Sequence, residues 1–89
     1  AFGFMFIEAR LNGAVAEGMP RKKAYEFAAQ AFWAVQMVLE TGMHPGELKD
    51  MVCSPAGTTI EGVGILEQKG MRSAVMDCIR ACIKKTREL

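Results

Sequence analysis

Several things are scarce in this 89-residue chain: proline (three residues), histidine (one), aromatics (8%) and charge of one sign. Each scarcity excludes something. No apolar run approaches the roughly 20 residues of a membrane-spanning helix. The formal net charge of +1 removes a bulk electrostatic case for nucleic acid or a lipid surface. β-branched residues are sparse and period-two alternation is never sustained, so strands are not expected. No Ser–His–Asp or Cys–His set stands at a recognisable spacing around the one histidine, His44. The apolar opening, Ala1 to Ile7, is short for a secretory core, has no basic flank and meets Glu8 and Arg10 at once. Three cysteines are an odd and small number beside the even, dense cysteines of small secreted domains, which predicts a reducing, cytoplasmic setting. A sequence that opens on Ala1 rather than Met is read as part of something longer.

What remains is half apolar, 51%, with 24% charged residues, and rich in Ala, Met, Glu, Lys and Leu. That is the composition of a globular all-α domain, taken as a single unit over residues 1–89. A chain of this size buries only roughly 60% of its unfolded surface, so it is marginal as an isolated monomer. Glycine and proline divide it into about five helices. The first runs from Phe2 to Glu17. Its stripe of Phe2, Phe6, Ala9, Gly13 and Ala16 is joined by Phe4, Met5, Ile7, Leu11, Ala14 and Val15 on other sides. A helix apolar nearly all round must be covered on more than one side, and a second subunit is the simplest cover. Gly18 suits a left-handed cap and Pro20 the first turn of the next helix.

The second segment, Pro20 to Thr41, offers Ala24, Phe27, Ala28, Ala31, Val35, Val38 and Leu39 as a core face. Trp33 and Met37 lie off that face, at an expected second contact surface. Gly42 is a natural stop. Pro45 to Met51 reads as a short helix with Glu47 in its first turn, favourable for the helix dipole. A loop follows from Cys53 to Gly57, then helices from Thr58 to Lys69 and from Met71 to Arg87. Gly62 and Gly64 each cost about 1 kcal/mol in a helix interior, so something is expected to approach them closely. The last segment carries a clean apolar stripe of Met71, Ala74, Val75, Cys78, Ile79, Cys82 and Ile83. Cys78 and Cys82 on it read as small core hydrophobes rather than a metal or redox pair. The basic tail, Lys69, Arg72, Arg80, Lys84, Lys85 and Arg87 against Asp77 and Glu88, reads as a solvated face and a complement to the dipole, not a nucleic-acid site.

Residues 53–61 hold three hydroxyls, a proline and a glycine at a helix entrance. Thr58 and Glu61 fit a capping box, and Ser54 before Pro55 is a second cap candidate. The same entrance, with unpaired amides and the positive end of a dipole, suits a small anion such as a carboxylate. A plain cap is the commoner outcome of such a pattern. A phosphate cradle would want more glycines and a lysine. Gly62-x-Gly64 does not complete a dinucleotide fingerprint, and no strand precedes it. His44 reads as a capping or surface residue rather than a general acid. Cys53 has no base beside it and reads as packing or substrate-proximal rather than nucleophilic.

The run Pro45-x-x-Leu48-x-x-x-Val52-Cys53-Ser54-Pro55-Ala56-Gly57-Thr58-Thr59-x-x-Gly62-Val63-x-x-Leu66-Glu67 resembles the signature of the Δ1-pyrroline-5-carboxylate reductase family. Ile7-Glu8-Ala9, Gly18-Met19-Pro20-Arg21, Ala29-Gln30, Lys49-Asp50-Met51-Val52, Gly70-Met71-Arg72 and Arg87-Glu88-Leu89 resemble flanking parts of the same C-terminal domain. The resemblance covers essentially the whole chain. It implies a helical bundle that interlocks with a second subunit as a homodimer, in some members built up to decamers. It implies an enzyme of proline biosynthesis that reduces the C=N bond of 1-pyrroline-5-carboxylate to give proline. NAD(P)H would be bound by an N-terminal domain that this chain lacks, so the chain alone is expected to be inactive.

Carried over by position, Ser54 would donate its hydroxyl to the substrate carboxylate. The amides of Gly57 and Thr58 and the hydroxyl of Thr59 would complete the cradle, and Val52 would line the pocket through its backbone. Thr59 would also lie nearest the imine nitrogen, as the catalytic candidate. Three places depart from the family pattern: Ala56-Gly57 where a pair of glycines is usual, Arg10 in the first helix, and Asn12-Gly13-Ala14. Arg10 would pair with Glu8, Glu17 or a partner chain. Two other readings accompany this one: a stand-alone helical association module without activity, and a related imine or hydroxyacid reductase.

Overall fold

The structure, a computed structural model, describes residues 1–30, 33 and 35–88. Among the described residues there are six helices and no strand: α1 (Phe2–Ala16), α2 (Arg21–Gln30), α3 (Gln36–Thr41), α4 (Pro45–Met51), α5 (Thr58–Gln68) and α6 (Met71–Arg87). The chain divides into two compact units, Ala1–Leu48 and Lys49–Leu89, with the division inside α4.

In the first unit α1 packs on α2. Ala24 and Ala28, one turn apart on α2, are fully buried, and Leu11 of α1 is 7% exposed against them. Ile7, Ala14, Val15 and Met19 surround this contact. Two alanines give α2 a flat face, which is why one leucine fills the gap.

The end of α1 is closed by its backbone. Gly18 N–H donates to Val15 C=O and Met19 N–H to Ala14 C=O, both at 3.0 Å, the bond pair of a Schellman motif. Gly18 stands at φ +101°, where only glycine is unstrained. Met19 and Ala14 both pack against the core cluster.

The expected helix from Pro20 to Thr41 is two helices, so the count is six rather than about five. Between them Trp33 N–H donates to Gln30 C=O and Gln36 N–H to Trp33 C=O, tight three-residue turns rather than helical bonds. Nothing in the sequence breaks the helix here, for Ala24 to Thr41 contains no proline or glycine. Helices hold mainly by packing, and Trp33 and Val35 are both exposed. Of the expected core face, Ala24 and Ala28 are buried, Val38 is half-buried, and Phe27, Val35 and Leu39 are exposed. Ala31 lies outside the described residues. Trp33 and Met37, expected at a second surface, are exposed and line an open cleft of about 450 Å³ with Gln30, Gln36 and Glu40.

In the second unit α5 and α6 meet through a short turn at Lys69 and Gly70. Glu67 on α5 and Arg72 on α6 bridge it, with Arg72 Nε 2.8 Å from Glu67 Oε1. The apolar stripe of α6 is present but uncovered: Val75, Ile79, Cys82 and Ile83 are exposed, and Met71 and Cys78 half-buried. The cysteines are thus not the core residues expected within this chain. Among the described residues nothing makes the close approach expected at Gly62 and Gly64, since a Cβ built on either would meet nothing within 4 Å.

Candidate functional site: the entrance to α5

The site is built by the way α4 ends and α5 begins. His44 caps α4 with its imidazole: Nδ1 accepts from Gly46 N–H at 3.0 Å. Pro45 then stands at the first helical position, where a missing N–H costs nothing. This is the capping role expected of His44, with Nδ1 as the acceptor. α4 closes with Val52 N–H on Lys49 C=O and Cys53 N–H on Asp50 C=O, both at 3.3 Å.

A tight turn follows. Gly57 N–H donates to Ser54 C=O at 3.1 Å, with Pro55 and Ala56 at the two central positions. Pro55 suits the first of these because its φ is fixed. Ala56 takes the second at φ +57°, and among the described residues no other non-glycine residue has positive φ. Gly57 is held for space as well. A Cβ there would lie 3.2 Å from Ser54 Cβ and 3.3 Å from Ser54 O.

Gly57, extended at φ −82° and ψ 174°, is the N-cap of α5, and its carbonyl accepts the first helical bond, from Glu61 N–H at 3.3 Å. The expected capping box is absent, since no side-chain hydrogen bond caps α5. A capping hydroxyl must sit on the extended N-cap residue, and that residue is glycine. Thr58 is already helical and one place too late. Ser54 does not cap the helix either; it contributes its carbonyl to the turn.

The consequence is an entrance that keeps its donors. The amides of Thr58, Thr59 and Ile60 occupy the first helical positions, which have no intrahelical acceptor. Ser54, Thr58 and Thr59 are all exposed, Val52 is exposed, and Gly57 is half-buried. All five expected site residues thus lie on one continuous stretch of one unit. No lysine or arginine lies in residues 50–68, so an anion here would be held by amides, hydroxyls and the dipole rather than by an ion pair. The Gly57 amide, expected in the cradle, is engaged in the turn. Sequence reasoning did not find that engagement or the left-handed Ala56, although proline followed by glycine two places later signals such a turn.

Two remaining groups bear on chemistry. The Cys78 thiol is pushed up from its ordinary range, first by partial burial, then by the neighbouring Cys82 and a hydrogen bond with it. It stays protonated where a metal ligand or nucleophile would be a thiolate. Among the described residues no group of three or more His, Cys, Asp or Glu is placed to hold a metal ion, and no helix is long and apolar enough to cross a membrane.

The model of the family described as pyrroline-5-carboxylate reductase dimerisation matches residues 1–89. The chain belongs to this family. It is 59% identical over 90 aligned residues to the pyrroline-5-carboxylate reductase of Escherichia coli, and 56% identical to that of Methanosarcina acetivorans. A plant relative of the same name, from Glycine max, is 46% identical. Each match covers 100% of this chain but 33–34% of the relative. The chain thus spans about a third of the length of the reductases it matches. Phe2, Phe4 and Met5 on α1, Leu39 on α3 and Val75, Ile79 and Ile83 on the stripe of α6 are exposed in this chain.

Proposed function

We propose that this chain is the subunit-joining and substrate-carboxylate domain of a cytosolic, NAD(P)H-dependent pyrroline-5-carboxylate reductase, which reduces 1-pyrroline-5-carboxylate in proline biosynthesis. The observation that carries the reading is an α5 entrance with no side-chain cap, in a chain that matches the reductase dimerisation family from end to end. A substrate carboxylate sits against the amides of Thr58 and Thr59, with the hydroxyls of Ser54 and Thr59 completing the contacts and Val52 forming the wall. Hydrogen bonds to a charged group of this kind contribute about 1.5–3 kcal/mol each. Thr59 lies nearest the imine nitrogen, where its hydroxyl orients the ring. The chain's own residues do not fit a dinucleotide: Gly62 and Gly64 lie inside α5 rather than in a turn after a strand. NAD(P)H is therefore assigned to the remainder of the reductase, and this chain to positioning the acid. The functional unit is a homodimer, extendable to a decamer.

The test is steady-state kinetics on the full-length reductase carrying this domain. Thr59→Ala and Ser54→Ala are each expected to raise KM for pyrroline-5-carboxylate at least about tenfold, one lost charge-assisted bond. Dimerisation should persist. Unchanged KM and kcat in both variants would remove the α5 entrance from the site.

A further inference from the structure

Outside the α5 entrance, two nucleophilic side chains stand together. Cys78 and Cys82 lie four residues apart on α6, one turn above the other on one face. Both are free, Cys78 half-buried and Cys82 exposed. Their thiols share a hydrogen bond. Ala74 and Ala81, the neighbours of Cys78 a turn away in each direction, carry only a methyl group.

The spacing decides what the pair can hold. On a helix the Cβ atoms of such a pair are roughly 5–6 Å apart. A disulfide needs about 3.5–4.5 Å, so direct oxidation would strain the helix. A single atom bonded to both sulfurs spans more, since two bonds of roughly 2.3 Å, the length of zinc–thiolate bonds, replace one of about 2.05 Å. That atom must be soft, because its donors are sulfur. It must also need only two protein donors, for among the described residues no group of three or more His, Cys, Asp or Glu is placed to hold a metal ion. The Cys78 thiol keeps its proton, being pushed up by partial burial and by Cys82. That favours a ligand that condenses with S–H over one that requires a thiolate. We propose that Cys78 and Cys82 form a dithiol site on α6 that chelates a trivalent arsenical. The As=O group condenses with both thiols. Two S–H bonds and the arsenic–oxygen bond break, and two As–S bonds form. The oxygen leaves as water with both protons, and arsenic stays trivalent, so no oxidant or reductant enters. The site is independent of the carboxylate reading of the α5 entrance.

The experiment treats the full-length reductase with phenylarsine oxide and reads the intact mass, then the mass of the α6 peptide. One arsenical less one water is expected per α6, joined to both cysteines. Excess 2-mercaptoethanol, a monothiol, should leave the adduct in place, and 2,3-dimercaptopropanol should remove it. The second As–S bond forms within one molecule, so Cys78→Ala or Cys82→Ala should weaken retention by at least about a hundredfold. Cys53→Ala should leave the α6 adduct unchanged. Retention undiminished in either single α6 variant would overturn the chelate. An adduct that the monothiol strips from the unaltered reductase as readily as the dithiol does would overturn it too. An α6 peptide that reacts only after unfolding in urea would show its thiols covered in the native assembly, and the site would fall.

Discussion

The guanidinium carbon of Arg10 lies 4.5 Å from the centroid of the Phe27 ring, joining α1 to α2 beside the Leu11 contact. Neither residue suggests this from sequence, where Arg10 reads as an ion-pair partner for Glu8, Glu17 or another chain. A cation over an aromatic face is worth about 0.5–1 kcal/mol at an exposed site. A double-mutant cycle of Arg10→Met and Phe27→Leu, followed by urea unfolding, should return a coupling of that size. A coupling of zero would show that the ring and the guanidinium do not meet in solution.

His44 should be replaceable only by another acceptor. His44→Ala removes the bond to Gly46 N–H and is expected to cost about 1 kcal/mol, the usual effect of losing an N-cap. His44→Asn or His44→Asp should retain most of it. Equal unfolding midpoints for alanine and asparagine would show that the imidazole does not hold α4.

Phe4 is 77% exposed in the protomer. Were the protomer the working unit, Phe4→Asp would change stability by less than about 0.5 kcal/mol. An interface that covers it would instead bury an unpaired charge. The expected outcome is a monomeric or unfolded protein by light scattering. A normal dimer would place the exposed side of α1 outside the subunit contact.

Cys78 should alkylate slowly. Its thiol is pushed up by partial burial and by Cys82, and only the thiolate attacks iodoacetamide. At pH near ~8.5, the ordinary cysteine value, Cys78 should react more slowly than a cysteine in a reference peptide and catch up only as pH rises. Cys82→Ala removes two of the three causes and should speed the reaction. Residue-resolved mass spectrometry separates the sites, and a faster-than-reference Cys78 would reverse the sign.

What could be read from the sequence was mostly punctuation. Pro45 and Gly70 mark the starts of α4 and α6, and the expected bounds Pro45–Met51 and Met71–Arg87 match those observed. Gly18 marks the end of α1 for a reason visible in one residue: only glycine takes φ +101° without strain. The interruption before Gln36 was not legible, because helix propensity is local while the packing that would sustain a helix there is not. The family was legible as a pattern around Ser54 and Thr59, and that same pattern names the five candidate site residues. The use of the donors was not. Whether Thr58 caps a helix or stands inside it depends on one residue's backbone, and Gly57 occupies the cap. The same holds for Gly62 and Gly64, whose surroundings are supplied by no described atom of this chain.

On the homodimer proposed above, a chain whose described core is Leu11, Ala24 and Ala28 has a fold whose persistence depends on protein concentration. For such a molecule dilution acts as a denaturant, and a melting temperature has meaning only beside the concentration at which it was taken. A substitution far from the α5 entrance, at Leu39 or Ile79 for example, would then look harmless in a concentrated sample and damaging at the low levels of a catalytic assay.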